Sequence, residues 1–189
     1  MKVEPTELGA VLVLEPSVYR DDRGHFLETW HRQKYEDLGL PTHFVQDNVS
    51  FSRRGVLRGL HFQHPQAQGK LVFALQGTVY DIAVDVRMGS PTFGRWVAVT
   101  LSGEDGRQVW IPPGFAHGFC VTSESALVGY KCTTFYAPAS EGCVLWNDRD
   151  LSIPWPIRDP IVSRKDAGGR SLRELERAEA LPQYAPPAA

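Results

Sequence analysis

Leu57-Arg58-Gly59-Leu60-His61-Phe62-Gln63 is an apolar run broken by a cation and an imidazole three residues apart. In a flat strand, side chains alternate between faces, so Arg58 and His61 would point opposite ways. Gly59 lies between them, and a glycine inside a strand marks a bulge. A bulge there turns both side chains to one face and gives a concave wall with an anion-binding cation and a titratable base. Taken alone, the seven residues favour a plainer reading, one half-exposed arginine and one hydrogen-bonded core histidine. The rest of the chain changes that balance.

On the N-terminal side, residues 44–50 read as a strand in which Gln46 and Asn48 share a face and Asp47 takes the other. Amide side chains offer both donor and acceptor and suit a nucleobase edge, although a solvated strand face would look the same. Residues 11–14 read as a strand, and residues 25–30 as another with Phe26, Glu28 and Trp30 on one face. Residues 33–38 form a short helix stopped by Gly39 and Pro41. On the C-terminal side, residues 71–76 and 79–86 flank Gly77-Thr78 and read as a β-hairpin with a polar-lined face. Strands follow over 95–101 and 108–111, then Ile111-Pro112-Pro113-Gly114-Phe115-Ala116-His117-Gly118-Phe119, then a strand over 126–136 that turns Tyr130, Cys132, Thr134 and Tyr136 one way. Ser171-Leu172-Arg173-Glu174 is a capping box opening a helix to about Ala180. Residues 182–189 read as a loose tail. Roughly ten short strands at regular spacing, with marginal helix, predict an antiparallel sandwich or barrel. Polar groups on strand faces favour a jelly roll with a ligand in its open end.

With 189 residues, 42% of them hydrophobic and 22% charged, the chain suits a single domain over 1–189. A net charge of -2 leaves no electrostatic footprint for nucleic acid or an anionic membrane. Three cysteines without a CxxC argue against a disulfide framework and for reduced thiols in the cytoplasm. No run is long enough to span a bilayer, and the first residues lack the apolar core of a signal peptide.

Jelly rolls of the cupin type often hold a metal through His-x-His with a downstream Glu, and through Pro-x-Gly-x-x-His. Pro112, Gly114 and His117 match the second segment. The first fails, because Gln63 stands where the second histidine ligand should be. Only His61 and His117 remain, short of the three convergent ligands a zinc or iron site needs, so no metal is expected.

Several segments, taken together and in order, resemble the dTDP-4-dehydrorhamnose 3,5-epimerase family, nucleotide-sugar epimerases with a metal-free cupin fold. They are residues 23–28, 44–48, 57–63, 68–72, 90–94 and 111–119, Tyr130-Lys131, Tyr136, Ser140-Glu141-Gly142, residues 145–148, and Ser163-Arg164-Lys165-Asp166. The resemblance implies a cofactor-independent isomerase, a double-stranded jelly-roll sandwich with short peripheral helices, and a homodimer whose N-terminal strands are exchanged. It implies His61 as the base that removes a sugar C–H proton, Asp166 as the group holding its tautomer, Tyr130 as the acid on the opposite ring face, and Lys70 as the cation neutralising an enolate. His117 would line the same pocket. Arg58 and Lys165 would hold diphosphate or sugar oxygens. Arg23, Glu28, Gln46, Asp47, Asn48 and Glu141 would contact the nucleotide, and Tyr136 would stack on thymine. The Arg23–Glu28 segment would reach the partner's site.

The residue types suit that chemistry in their own right. C–H groups flanking a C4 ketone lose protons only where the enolate oxygen is stabilised. Histidine titrates near working pH, a carboxylate orients it, and inversion needs a second proton donor on the far face. Phe135 stands where many members carry a second tyrosine, and relatives that invert only C3 or only C5 keep most of the same residues. A mono-epimerase on a related dTDP-4-keto-deoxysugar is therefore the alternative, with a non-catalytic sugar-nucleotide-binding cupin as the reading outside enzymes.

Overall fold

Long strands with one apolar and one mixed face need two sheets to cover each other. The computed structural model, whose described residues are 1–186, has this arrangement. One sheet has six strands in the order β1 (Lys2–Pro5), β2 (Leu12–Glu15), β10 (Gln108–Ile111), β7 (Lys70–Gln76), β12 (Ser125–Cys132) and β5 (Gln46–Arg53). The facing sheet has five, in the order β13 (Glu141–Cys143), β6 (Leu57–Gln63), β11 (Phe115–Val121), β8 (Thr78–Asp85) and β9 (Trp96–Ser102). A separate hairpin joins β3 (Val18–Asp21) to β4 (Gly24–Leu27). Strand pairing is antiparallel in both sheets. The expected mainly β jelly-roll sandwich is the fold.

The inner faces meet in a core that includes Val72, Ala74, Val128, Ala83, Phe115 and Phe119. The outer face of the five-stranded sheet is covered by the C-terminal segment, where Val144, Leu151, Leu172 and Leu175 pack on Leu60, Ile82 and Val84. The outer face of the six-stranded sheet is only partly covered, by Tyr35 of α1 (Arg32–Asp37) with Leu40, Trp30 and Phe44. Two further short helices, α2 (Arg164–Ala167) and α3 (Leu172–Arg177), flank the sandwich. The expected capping box opens α3: the Ser171 hydroxyl accepts the Glu174 N–H, and the Glu174 carboxylate accepts the Ser171 N–H. The helix stops at Arg177, short of Ala180.

Four local expectations change. Residues 71–76 and 79–86 do not form a hairpin, because β7 and β8 lie in different sheets. Gly77, at φ +74°, passes the chain across the sandwich in one residue, and a Cβ there would stand 2.0 Å from the Ser125 carbonyl oxygen. The β5–β6, β9–β10 and β11–β12 connections also change sheets, so β5, β6, β7, β10, β11 and β12 find their hydrogen-bonding partners in strands that do not adjoin them in the chain. The strand expected over 25–30 ends at Leu27: Phe26 is exposed, Trp30 packs under α1, and Glu28 pairs with Lys34. The strand expected over 126–136 ends at Cys132. The tail is not loose from residue 182. Met88 N–H donates to the Pro182 carbonyl (2.8 Å), Tyr184 N–H donates to the Met88 carbonyl (2.9 Å), and Leu181 is buried. Residues 187–189 lie outside the described residues.

Candidate active site

The bulge is where the sequence places it. His61 pairs with His117 and Arg58 with Phe119 across β6 and β11, so three steps on one strand match two on the other. Paired residues share a face in an antiparallel sheet, and Arg58 and His61 both turn inward. Gly59 has φ +120°, and a Cβ on it would stand 2.6 Å from Gly118 Cα. Only glycine meets both demands.

His61 Nε2 lies 2.6 Å from Asp166 Oδ1. The carboxylate comes from α2, whose first turn is fixed by the Ser163 hydroxyl accepting the Asp166 N–H at 3.1 Å. Asp166 is buried. Burial pushes its carboxyl upward, but hydrogen bonds from His61, Ser163 and the Gly59 backbone outweigh this and hold it below the usual range. An ionised Asp166 accepts a hydrogen bond from Nε2–H and leaves Nδ1 as the unprotonated ring nitrogen.

His61 opens on a cavity of about 250 Å³ whose other polar lining groups are Gln46, Asn48, Gln63, Gln68, Lys70, Tyr130, Tyr136 and Glu141. His61 comes from the five-stranded sheet, while Lys70 and Tyr130 come from neighbouring strands of the six-stranded sheet opposite. Desolvation lowers the Lys70 ammonium below its ordinary value, opposed by Cys132, Asp81 and Glu141. Burial raises the Tyr130 phenol, with the nearby Arg58 charge pulling the other way. At the cavity mouth Tyr136 OH donates to Glu141 Oε2 (2.9 Å), and Lys165 Nζ sits 2.5 Å from the same oxygen. Gln46 Nε2 donates to Asn48 Oδ1 (2.9 Å), and Gln46 Oε1 accepts the Tyr136 N–H (2.9 Å).

The site thus gathers His61, Asp166, Lys70, Tyr130, Gln46, Asn48, Tyr136, Glu141 and Lys165. Other expected residues stand elsewhere. His117 does not line the cavity; it is buried against Asp81, 2.8 Å away. Arg58 shares the inner face, but its guanidinium donates to Ser52 Oγ at 2.9 Å rather than lining the cavity. Asp47 points to the outer face and pairs with Lys131 at 2.8 Å, as the period of a strand requires between Gln46 and Asn48. Arg23 pairs with Asp21 at the hairpin tip, and Glu28 with Lys34, neither of them at this chain's cavity.

Gln63 and Gln68 were not expected in the lining. Gln63 donates to the Gln66 carbonyl (2.8 Å) and accepts the Ala137 N–H (3.0 Å), and Gln68 donates to the Thr134 carbonyl (2.6 Å). These amides pin the segment that carries Tyr136. The signal for Gln63 was an amide ending an otherwise apolar strand; Gln68, half-buried in the loop before β7, carried none. Count of metal ligands also changes: Cys143 and Asp166, not His117, bring donor atoms to within 4.8 Å of the His61 imidazole and of one another.

A family model described as dTDP-4-dehydrorhamnose 3,5-epimerase matches residues 5–174. A Pseudomonas aeruginosa protein of that name is 52% identical over 178 residues, covering 93% of this chain and 98% of the relative. Among solved structures, a dTDP-6-deoxy-D-glucose-3,5-epimerase from Legionella pneumophila in complex with dTDP-4-keto-L-rhamnose superposes with a TM-score of 0.93 at 50% identity, covering 97% of this chain and 98% of that one. A 3'-monoepimerase from Streptomyces bikiniensis in complex with dTDP-quinovose superposes at 0.90 with 35% identity, covering 95% and 92%.

Proposed function

The chain belongs to the dTDP-4-dehydrorhamnose 3,5-epimerase family, and from that premise we propose how its residues invert C3 and C5 of dTDP-4-dehydro-6-deoxyglucose to give dTDP-4-dehydro-L-rhamnose. The sugar enters between the two sheets. His61 removes the proton from the carbon beside the C4 ketone. Asp166 keeps Nε2 protonated before the step and stabilises the imidazolium after it. Lys70 stands over the oxygen on which the enolate charge develops, where a desolvated ammonium acts more strongly than in water. Tyr130 returns a proton from the opposite ring face and so inverts the centre. The neighbouring centre repeats the cycle through the same enolisable ketone. Tyr136 and the Gln46–Asn48 pair hold the thymine, and Lys165 at the cavity mouth holds diphosphate oxygens.

The observation that carries this reading is the division of labour across the cavity, with the hydrogen-bonded base on one sheet and the phenol and ammonium on the other. Unlike the wholly buried His117–Asp81 pair, the His61–Asp166 pair presents its imidazole to the cavity, facing a phenol and an ammonium, which pure binding does not require. The test is turnover of dTDP-4-keto-6-deoxyglucose in deuterated water. Label at both C3 and C5 is expected. Label at one centre identifies a mono-epimerase, and no label refutes catalysis.

The enzyme acts as a homodimer in this reading. Val49, Phe51 and Leu75 are 62%, 61% and 45% exposed on the uncovered outer face of the six-stranded sheet. Apolar side chains on one sheet face are a surface for another copy. The β3–β4 hairpin, with Tyr19 and Phe26 exposed, carries Arg23 and Glu28 toward the partner's nucleotide. Among the described residues no helix is long and apolar enough to cross a membrane. Three free cysteines suit a reducing cytoplasm.

A further inference from the structure

The imidazole of His61 has a second neighbour that epimerisation leaves unused. Cys143 is its Cα partner across β13 and β6, and Asp166 arrives at the same point from α2. An imidazole nitrogen, a thiol sulfur and a carboxylate oxygen lie within 4.8 Å of one another. The sulfur is not part of the substrate cavity. Cys143 lines an adjoining one of about 440 Å³ with Phe62, Lys165 and Gly169. The thiol's one hydrogen bond is a long contact of 3.6 Å to the Val144 carbonyl.

We propose that His61, Cys143 and Asp166 bind a thiophilic divalent cation of the zinc class, and that its arrival switches the epimerase off. One nitrogen, one sulfur and one oxygen donor form a zinc set that leaves a fourth tetrahedral position to water. Thiolate and carboxylate together neutralise the ion. Tetrahedral zinc sets such donors about 3.3–3.6 Å apart. From 2.6 Å the His61–Asp166 pair therefore opens by about 0.7–1 Å, and the sulfur, within 4.8 Å of both, closes by at most about 1.5 Å, movements made by side-chain rotation. Burial pushes the Cys143 thiol up to about 11, so the incoming cation displaces a proton as it binds.

The switch follows from the tautomer. Asp166 holds the proton on Nε2 and keeps Nδ1 free to act as base. A cation bound at Nε2 takes that lone pair and sends the ring proton to Nδ1. The nitrogen that should accept the substrate's proton then carries one. This inhibitory half rests on the assignment of His61 as the base; the binding half does not.

Cobalt(II) serves as the spectroscopic probe for zinc. Titrated into the full-length protein, it should give a thiolate-to-cobalt charge-transfer band at one ion per chain, discharged by zinc. Zinc at the same occupancy should stop deuterium incorporation, and EDTA should restore it. Cys143→Ser should turn over substrate as wild type does, lose the band, and tolerate more than about tenfold higher zinc, since even losing an outer-sphere partner costs that much. Cys132→Ser should keep the band. Absence of the band in wild type, or its survival in Cys143→Ser, overturns the site. A band with undiminished epimerisation overturns the switch, while leaving the binding site standing.

Discussion

In the proposed mechanism, His61 and Lys70 set the chemistry at the scale of single residues. A general base contributes about 10²–10⁴-fold to rate. His61→Ala is expected to lose deuterium exchange by that order while thymidine diphosphate still binds, as calorimetry on the variant would show. The ammonium of Lys70 is needed in its charged form. Burial lowers its pKa from the ordinary 10.5, whereas burial raises the Tyr130 phenol above 10.0. As pH rises, Lys70 therefore loses its proton at lower pH than an exposed lysine would. kcat/KM should fall on the alkaline side with an apparent pKa below 10.5. Lys70→Arg, whose guanidinium stays charged, should lower the plateau and move that limb to higher pH. An unmoved limb would assign it to another group. Arg58 and Asp47 mark where residue-level reading stopped. Their types suit a diphosphate sugar, yet Arg58 is occupied by Ser52 and Asp47 by Lys131.

The bulge in β6 shows how a single element builds the site. Without it the strand would keep strict alternation, and Arg58 or His61 would face outward. Gly59 combines a positive φ with a backbone approach that no Cβ survives. Gly59→Ala must relieve strain of about 1–3 kcal/mol and displace Gly118 as well. It is expected to lower the melting temperature by several degrees, at about 2–4 °C per kcal/mol for a chain of this size, and to cut turnover further by misplacing His61. Calorimetry and the exchange assay on one sample would separate the two. Other quoted segments serve the fold rather than the substrate. Ser90 and Thr92 each donate a hydroxyl hydrogen bond to buried Asp85 at 2.6 Å, closing the turn after β8.

At the scale of the whole molecule, two features point beyond one chain. An apolar strip lies uncovered on the six-stranded sheet, and Arg23 and Glu28 stand outside this chain's substrate cavity. The proposed second copy answers both. Phe51→Asp places a charge in the middle of that strip and should halve the mass measured by light scattering. Turnover should fall with it if the hairpin completes the partner's nucleotide site, and a monomer of full activity would refute the exchange. Local pattern alone determined the strand-rich class, the capping box and the bulge at Gly59, because alternation and capping act within a few residues; the proton-handling roles of His61, Asp166, Tyr130 and Lys70 came from the family resemblance of the whole ordered set of segments. Pairing of strands into two sheets was illegible, since one-residue turns such as Gly77 look like hairpin turns whether the chain folds back or crosses over. Neither could the sequence show that His61 and Asp166, 105 residues apart, meet at hydrogen-bonding distance, or that Cys143 joins them. Such contacts depend on how sheets close over one another, and that is decided by the packing of the entire core rather than by any segment of it.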